Sequence, residues 1–270
     1  MSIEITNWQP APAETNRPIF AVGDIHGCAD ALAALHKTIV HIATEDRLEA
    51  PVLVHLGDFI DRGPNSLRVL DLVAAGPQGY AFEQHDLMAN HEQLLMLVLE
   101  RGSASDLGGH AFNWLRNGGD AVLSEAGLGH LDFTDAEEIR SGMRHVLAGS
   151  RMALLQRLES HARVGRYLFV HAGISPHLPL DTTFGPGWDV LPETDRDEDR
   201  SPLWTRAPFL GWTASFPEDV IVIHGHTITP AGRPEVRPNR IGIDTGAYKG
   251  RPLTAVQLLN DKMRFIQVRT

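Results

Sequence analysis

Five short segments of this chain set carboxylate, imidazole or amide side chains at the edge of an apolar element. No other feature constrains the fold as much. Ile19–Val22 runs into Gly23-Asp24-Ile25-His26-Gly27. Val52–Leu56 runs into Gly57-Asp58-Phe59-Ile60-Asp61-Arg62-Gly63. Asn90-His91-Glu92 opens an apolar-rich helix, Tyr167–Val170 stops at His171-Ala172-Gly173, and Val220–Ile223 stops at His224-Gly225-His226. Polar groups at the ends of buried strands carry a desolvation cost if left unpaired. A bound metal ion offsets that cost, and a set of Asp, His and Asn donors suits a borderline divalent ion better than Ca²⁺. Flanking glycines let the backbone turn sharply and approach an ion closely. A lone Gly-Asp or His-Ala-Gly is as well explained by a turn or a satisfied core histidine. Five such segments in order are not.

The chain has 270 residues, which fits one large α/β domain. With 43% hydrophobic and 21% charged residues it can bury a sizeable core. No apolar run has membrane-spanning length, so no membrane partner is expected. The first residues lack a basic stretch followed by an apolar one, and no secretory signal is expected. Cys28 is the single cysteine; it rules out an internal disulfide framework and suits a reducing, cytoplasmic setting. Its plain reading is a small, partly buried hydrophobe. A net charge of −10 argues against non-specific nucleic-acid binding. It leaves room for an anionic substrate if metal ions supply local positive charge.

Residues 1–18, with Pro10 and Pro12, read as an irregular lead-in, and 19–270 as the catalytic domain. Periodicity predicts helices over Asp30–Ile42, Ser66–Ala75 and His91–Arg101, the last stopped by Gly102. Residues 110–160 hold short helical patterns without a functional signal. Further strands are expected at Ile241–Ile243, Leu253–Leu259 and Met263–Val268. Residues 174–218 hold seven of the 17 prolines and three of the five tryptophans, Trp188, Trp204 and Trp212. So long an irregular stretch inside a compact domain is unusual. It reads as a mini-core packed on the body, as a wall over the site, or as both.

The segments resemble the signatures of the metallophosphoesterases, and within them the phosphoprotein phosphatases with their bacterial and phage members. GDxHG, GDxxDRG, GNHE, HAG and a late GH stand here as GDIHG, GDFIDRG, ANHE, HAG and GHT. The resemblance runs from Ile19 to about Leu259. It implies the superfamily's α/β fold, a two-sheet β-sandwich flanked by helices in four layers. It also implies two divalent metal ions, Mn²⁺ first, with iron or Zn²⁺ as alternatives. Asp24 and His26 would hold one ion, Asp58 would bridge, and Asn90, His171 and His226 would hold the second. Two ions about 3.5–4 Å apart would carry a hydroxide that attacks phosphorus in line. His91 would protonate the leaving oxygen with Asp61 holding its ring. Arg62 would clamp phosphate oxygens, and Leu203-Trp204-Thr205-Arg206 offers Arg206 as the second clamp.

Two departures stand out. Ala89 replaces the glycine of GNHE, which is tolerable unless that position needs positive φ. Ile228 stands where many metallophosphoesterases carry a second metal-binding histidine, which argues against a nuclease. His224 reads as a strand-end or supporting residue. His36, His41, His55, His85, His110, His130, His145, His161 and His177 read as structural, and Glu193–Arg200 as a solvated loop. The expected activity is phosphomonoester hydrolysis, on phosphorylated serine or threonine in proteins or on a small phosphorylated molecule. The alternative is symmetrical dinucleoside-polyphosphate hydrolysis, because Arg62-Gly63-Pro64-Asn65-Ser66-Leu67 followed by Val69-Leu70 also looks like that family. A silent scaffold is disfavoured by the complete ligand set. Oligomeric state is not legible.

Overall fold

The computed structural model describes residues 1–101 and 105–270. Among them, strands β1 (Ser2–Ile5), β2 (Gln9–Val22), β3 (Val52–His55) and β4 (Glu83–Asp86) precede β5 (Ala162–Val164) and β6 (Tyr167–Phe169). Strands β7 (Ile221–His224), β8 (Glu235–Val236), β9 (Arg240–Gly242) and β10 (Leu253–Arg269) follow. They build two sheets, ordered β1-β10-β2-β3-β4 and β5-β6-β7-β9-β8. Within the first, β2, β3 and β4 are parallel, with Ile19 opposite Val52 and Val52 opposite Glu83. Within the second, β6, β7 and β9 are parallel, with Tyr167 opposite Ile221 and Val222 opposite Arg240.

Period-two alternation lays the sheets face to face. Ile19, Ala21, Val52 and Val54 meet Tyr167, Phe169, Ile221 and Ile223 between the sheets. The alternate residues Phe20, Val22 and Leu53 face the helices, among them α1 (Ala29–Glu45), α2 (Ser66–Ala75) and α3 (Asn90–Met96). The outer face of the second sheet, with Leu168, Val170 and Val222, packs on Phe209, Phe216 and Leu180. The proline-rich stretch is therefore the fourth layer of the sandwich, built from a loop and short helical turns. Phe209 is fully buried, stacks on Phe216 at 5.3 Å and meets His224 edge-on at 4.8 Å. Phe209→Ala is expected to destabilise the fold by about 3–5 kcal/mol, measured by denaturant unfolding. A loss under about 1 kcal/mol would show that this layer is dispensable to the core.

Several expectations need correction. Residues 1–18 are not irregular: β1 and most of β2 lie there, paired with β10. Strand β3 joins β2 only from Ile19, so Pro10 and Pro12 occupy a stretch paired on one side alone, where a missing N–H is tolerated. Leu253–Leu259 and Met263–Val268 are one strand, bent where the register shifts around Asn260 at φ 54°. The third helix gives way at Leu97 to a π turn reaching Arg101, and Gly102 lies outside the described residues.

Candidate metal centre and active site

The parallel strands of both sheets deliver their C-terminal ends to one edge, the usual site position in α/β folds. Asp24 follows β2, Asp58 follows β3, His171 follows β6 and His226 follows β7, while Asn90 and His91 open α3. Contacts across the sandwich bring them together. The His226 N–H donates to Asp24 Oδ2 at 2.9 Å, and Asn90 Oδ1 lies 2.9 Å from His171 Nε2 and 3.1 Å from His226 Nδ1. All six residues expected to hold metal are buried. This approach needs bare backbone in two places. A Cβ on Gly225 would sit 1.9 Å from Asp24 Oδ1, and one on Gly63 would sit 1.9 Å from the His26 carbonyl oxygen.

The loops are strained where the site is. His26, Asp58, Asp61, Arg62 and His226 all have positive φ, between 44° and 71°. Each such residue costs on the order of 1–3 kcal/mol and persists only where its surroundings fix it. Glu92 supplies part of that fixing. Its carboxylate accepts the N–H groups of Asp58, Phe59 and Ile60 at 3.0, 2.9 and 3.2 Å. Ala89 is extended at φ −126°, so its methyl adds no left-handed strain.

The donor set fits divalent cations. Backbone carbonyls only accept, so Nδ1–H of His26 donates to Ile60 O at 2.8 Å and Nδ1–H of His171 donates to Leu56 O at 2.9 Å. Both rings then turn an Nε2 lone pair into the site, the tautomer a metal ligand needs. Acceptor meets acceptor there: His26 Nε2 is 3.2 Å from Asp58 Oδ2 and His171 Nε2 is 3.5 Å from Asp58 Oδ1. Asp58 belongs to two buried clusters of metal-ligand geometry, one with His26 and His91 and one with His171 and His226. Among the described residues, Asp24 Oδ1, Asp58 Oδ1, His91 Nε2 and His226 Nε2 are buried without a hydrogen-bond partner.

Charge points the same way. Burial, with Asp244 and Asp58 facing it, lifts the Asp24 carboxyl well above the usual range. Burial also raises Asp244, so the touching pair does not doubly ionise without a cation. Burial opposes ionisation of Asp58 too, but His171, His91 and His26 outweigh it and hold that carboxyl well below the usual range. Burial pushes His171 and His91 down to about 4, so both rings are neutral near pH 7.

Beside this cluster, His91 Nδ1 lies 2.6 Å from Asp61 Oδ2, and the Trp114 indole N–H donates to Asp61 Oδ1 at 3.0 Å. Arg62 reaches His26 Nε2 at 2.9 Å. Arg206 stands close enough to His91 and His226 to act on both electrostatically. It is half exposed and forms a 3.9 Å ion pair with Glu198. Trp204, two residues earlier, donates its indole N–H to Gln93 Oε1 at 2.6 Å.

The profile of the calcineurin-like phosphoesterase family matches residues 17–249. The chain belongs to that family. It is thus a metal-dependent phosphoester hydrolase with a binuclear ligand set, and the fold is the family's two-sheet sandwich in a single domain. A symmetrical bis(5'-nucleosyl)-tetraphosphatase of Coxiella burnetii is 26% identical, with 97% of this chain and 95% of that protein aligned. A counterpart in Dechloromonas aromatica is 31% identical over 58% of this chain, a stretch that spans 44% of that protein. Among solved structures, a cold-active protein-tyrosine phosphatase of a Shewanella species superposes with a TM-score of 0.59 at 18% identity, covering 92% of this chain and 77% of that one.

Sequence reading missed four residues here. Asp244 ends β9 as Asp24 ends β2, and the run Ile241-Gly242-Ile243-Asp244-Thr245-Gly246 carries the same signal as the other five segments. Glu92 was visible only as the last letter of a motif. Trp114 and Tyr248 carried no local signal. His224 faces away from the cluster: it contacts Gly225 O and the Phe209 ring. His36, His55 and Asp86 form a buried chain, with His36 and His55 Nε2 atoms 2.9 Å apart and His55 Nδ1 2.8 Å from Asp86. No helix among the described residues is long and apolar enough to cross a membrane.

Proposed function

We propose that this phosphoesterase cleaves dinucleoside tetraphosphates symmetrically, giving two nucleoside diphosphates. The observation that carries it is end-to-end similarity to a symmetrical tetraphosphatase, covering 97% of this chain and 95% of the relative. In this reading Asp24 and His26 would hold one ion, Asn90, His171 and His226 would hold the other, and Asp58 would serve both. When bound, such a pair of ions supplies Lewis-acid charge neutralisation and lowers the pKa of water. Arg62 and Arg206, both close enough to His91 to act on it electrostatically, grip non-bridging phosphate oxygens. His91 presents the unpartnered Nε2 and passes a proton to the leaving phosphate oxygen. Asp61 fixes the ring, and Trp114 fixes Asp61. Mn²⁺ is the proposed metal.

Diadenosine tetraphosphate, a phosphoserine peptide, a phosphotyrosine peptide and a chromogenic aryl phosphate, each with Mn²⁺, test the reading. The dinucleotide should show the highest kcat/KM, with ADP as the sole nucleotide product. ATP plus AMP would replace symmetrical by asymmetrical cleavage, and a preference for phosphoserine would restore the protein-phosphatase reading.

Arg206→Ala should lower kcat/KM for every phosphate substrate, equivalent to roughly 2–4 kcal/mol of lost transition-state binding. Arg206→Lys should recover little, because lysine lacks the planar fork. Wild-type efficiency in Arg206→Ala would leave residues 174–218 with their packing role alone.

A further inference from the structure

The turn after β9 runs beside the His26 ring. Gly246 and Gly250 bracket it in the left-handed region, at φ 81° and 75°, and Ala247 anchors it in the core. Between them, Tyr248 reaches the candidate ligand residues. Its ring meets the His26 ring edge-on with centroids 5.0 Å apart. Two cations share that ring: the Arg62 guanidinium carbon lies 5.0 Å from its centroid and the Lys249 ammonium 5.4 Å.

Several surface arginines are paired with carboxylates: Arg68 with Asp30, Arg151 with Asp71, Arg163 with Glu218 and Arg166 with Asp219. Arg62 acts electrostatically on the buried Asp61 carboxyl, and both Arg62 and Lys249 lie against the Tyr248 ring. In a chain of net charge −10, two cations gathered at one aromatic ring repel each other, and an anion with several charges relieves that repulsion. Arg62 is already beside His26, where the phosphoryl group under attack would lie.

We propose that Tyr248 and Lys249 form a polyphosphate subsite. The Lys249 ammonium takes oxygens of the phosphate next to the one held by Arg62, while the Tyr248 ring is a positioning residue for both cations. A phosphomonoester has no second phosphate and gains nothing from Lys249. A di-, tri- or tetraphosphate chain does. The subsite therefore sets preference for polyphosphates over monoesters. It rests on the dinucleotide reading only for which polyphosphate is used.

The test needs no dinucleotide. Inorganic tripolyphosphate and orthophosphate are compared as competitive inhibitors of aryl phosphate turnover at fixed free Mn²⁺, with calorimetric titration of the same two anions as a second readout. The wild-type protein should bind tripolyphosphate more tightly. Lys249→Met should cut the ratio of the two affinities roughly tenfold, as expected for one charged phosphate contact. Tyr248→Leu should reduce it as well, and Tyr248→Phe, which keeps the ring, should restore it. Lys262→Met, at an exposed position on β10, controls for bulk charge. An unchanged ratio in Lys249→Met, or an equal fall in Lys262→Met, would overturn the subsite. If the ratio behaves as expected but diadenosine tetraphosphate is not cleaved, only the dinucleotide reading fails.

Discussion

Asp58→Asn is expected to lower turnover of every substrate by more than about 10²-fold, beyond the 10–100-fold usual for a residue that merely supports metal ligands. The substitution keeps the side chain's shape and removes its charge. Among the described residues Asp58 alone belongs to both buried clusters, so it is where two cations would share a ligand. Burial opposes its ionisation, yet its carboxyl beside His171, His91 and His26 lies well below the usual range, so it stands as an anion ready for cations. Elemental analysis of the purified variant should show about one metal equivalent or fewer, against about two in the wild-type protein. Asp58→Asn with two equivalents and wild-type turnover would remove the bridging role. Because the surrounding backbone is held by Glu92 through three N–H bonds, the variant should retain the fold, which circular dichroism checks.

How much of this was legible in the sequence depends on whether each residue signals locally. The strand ends were legible because a strand that stops at Gly-Asp or at His-Ala-Gly breaks its own apolar pattern, and no neighbour is needed to see it. That logic extends to Asp244, whose strand ends in the same way. Strand β4 was not legible: Glu83-Gln84-His85-Asp86 has no apolar alternation, because it is the edge of its sheet and half in solvent. Nor was Trp114, whose indole holds Asp61 across a separation of 53 residues. Nothing in Leu107–Trp114 distinguishes that tryptophan from a core aromatic, and it is one, fully buried among the helices. The long proline-rich stretch held two readings, and the structure gives physical grounds for both. Phe209 and Phe216 cover the second sheet, while Trp204 and Arg206 point the other end of the same stretch at the metal cluster. Substrate identity lies furthest from sequence logic, since the signatures encode the phosphoryl chemistry, and the turn at Tyr248 and Lys249 carries none of them.

His91→Asn separates proton transfer from metal binding. Its Nδ1 is engaged 2.6 Å from Asp61, and its Nε2 is buried with no partner among the described residues, so one nitrogen is held and the other is offered to the site. Burial lowers the imidazole to about 4 in the absence of bound anion and cation, so a proton it gives must arrive with the substrate or be retained by the Asp61 carboxylate beside it. General acid catalysis is typically worth about 10²–10⁴-fold, and the loss should fall in that range for substrates whose leaving group is a poor one, such as an alkyl alcohol. An aryl phosphate leaves with less need of a proton and should lose far less. A plot of log kcat/KM against leaving-group pKa should therefore become steeper in His91→Asn than in the wild-type protein. Asp61→Asn should steepen it in the same sense, because an unheld ring no longer presents Nε2 at the right angle. Metal content should stay near wild type in both variants. A parallel downward shift, equal for good and poor leaving groups, would mean that His91 acts on the phosphoryl group or on a metal, consistent with its place near His26 and Asp58, and would take the acid role from it.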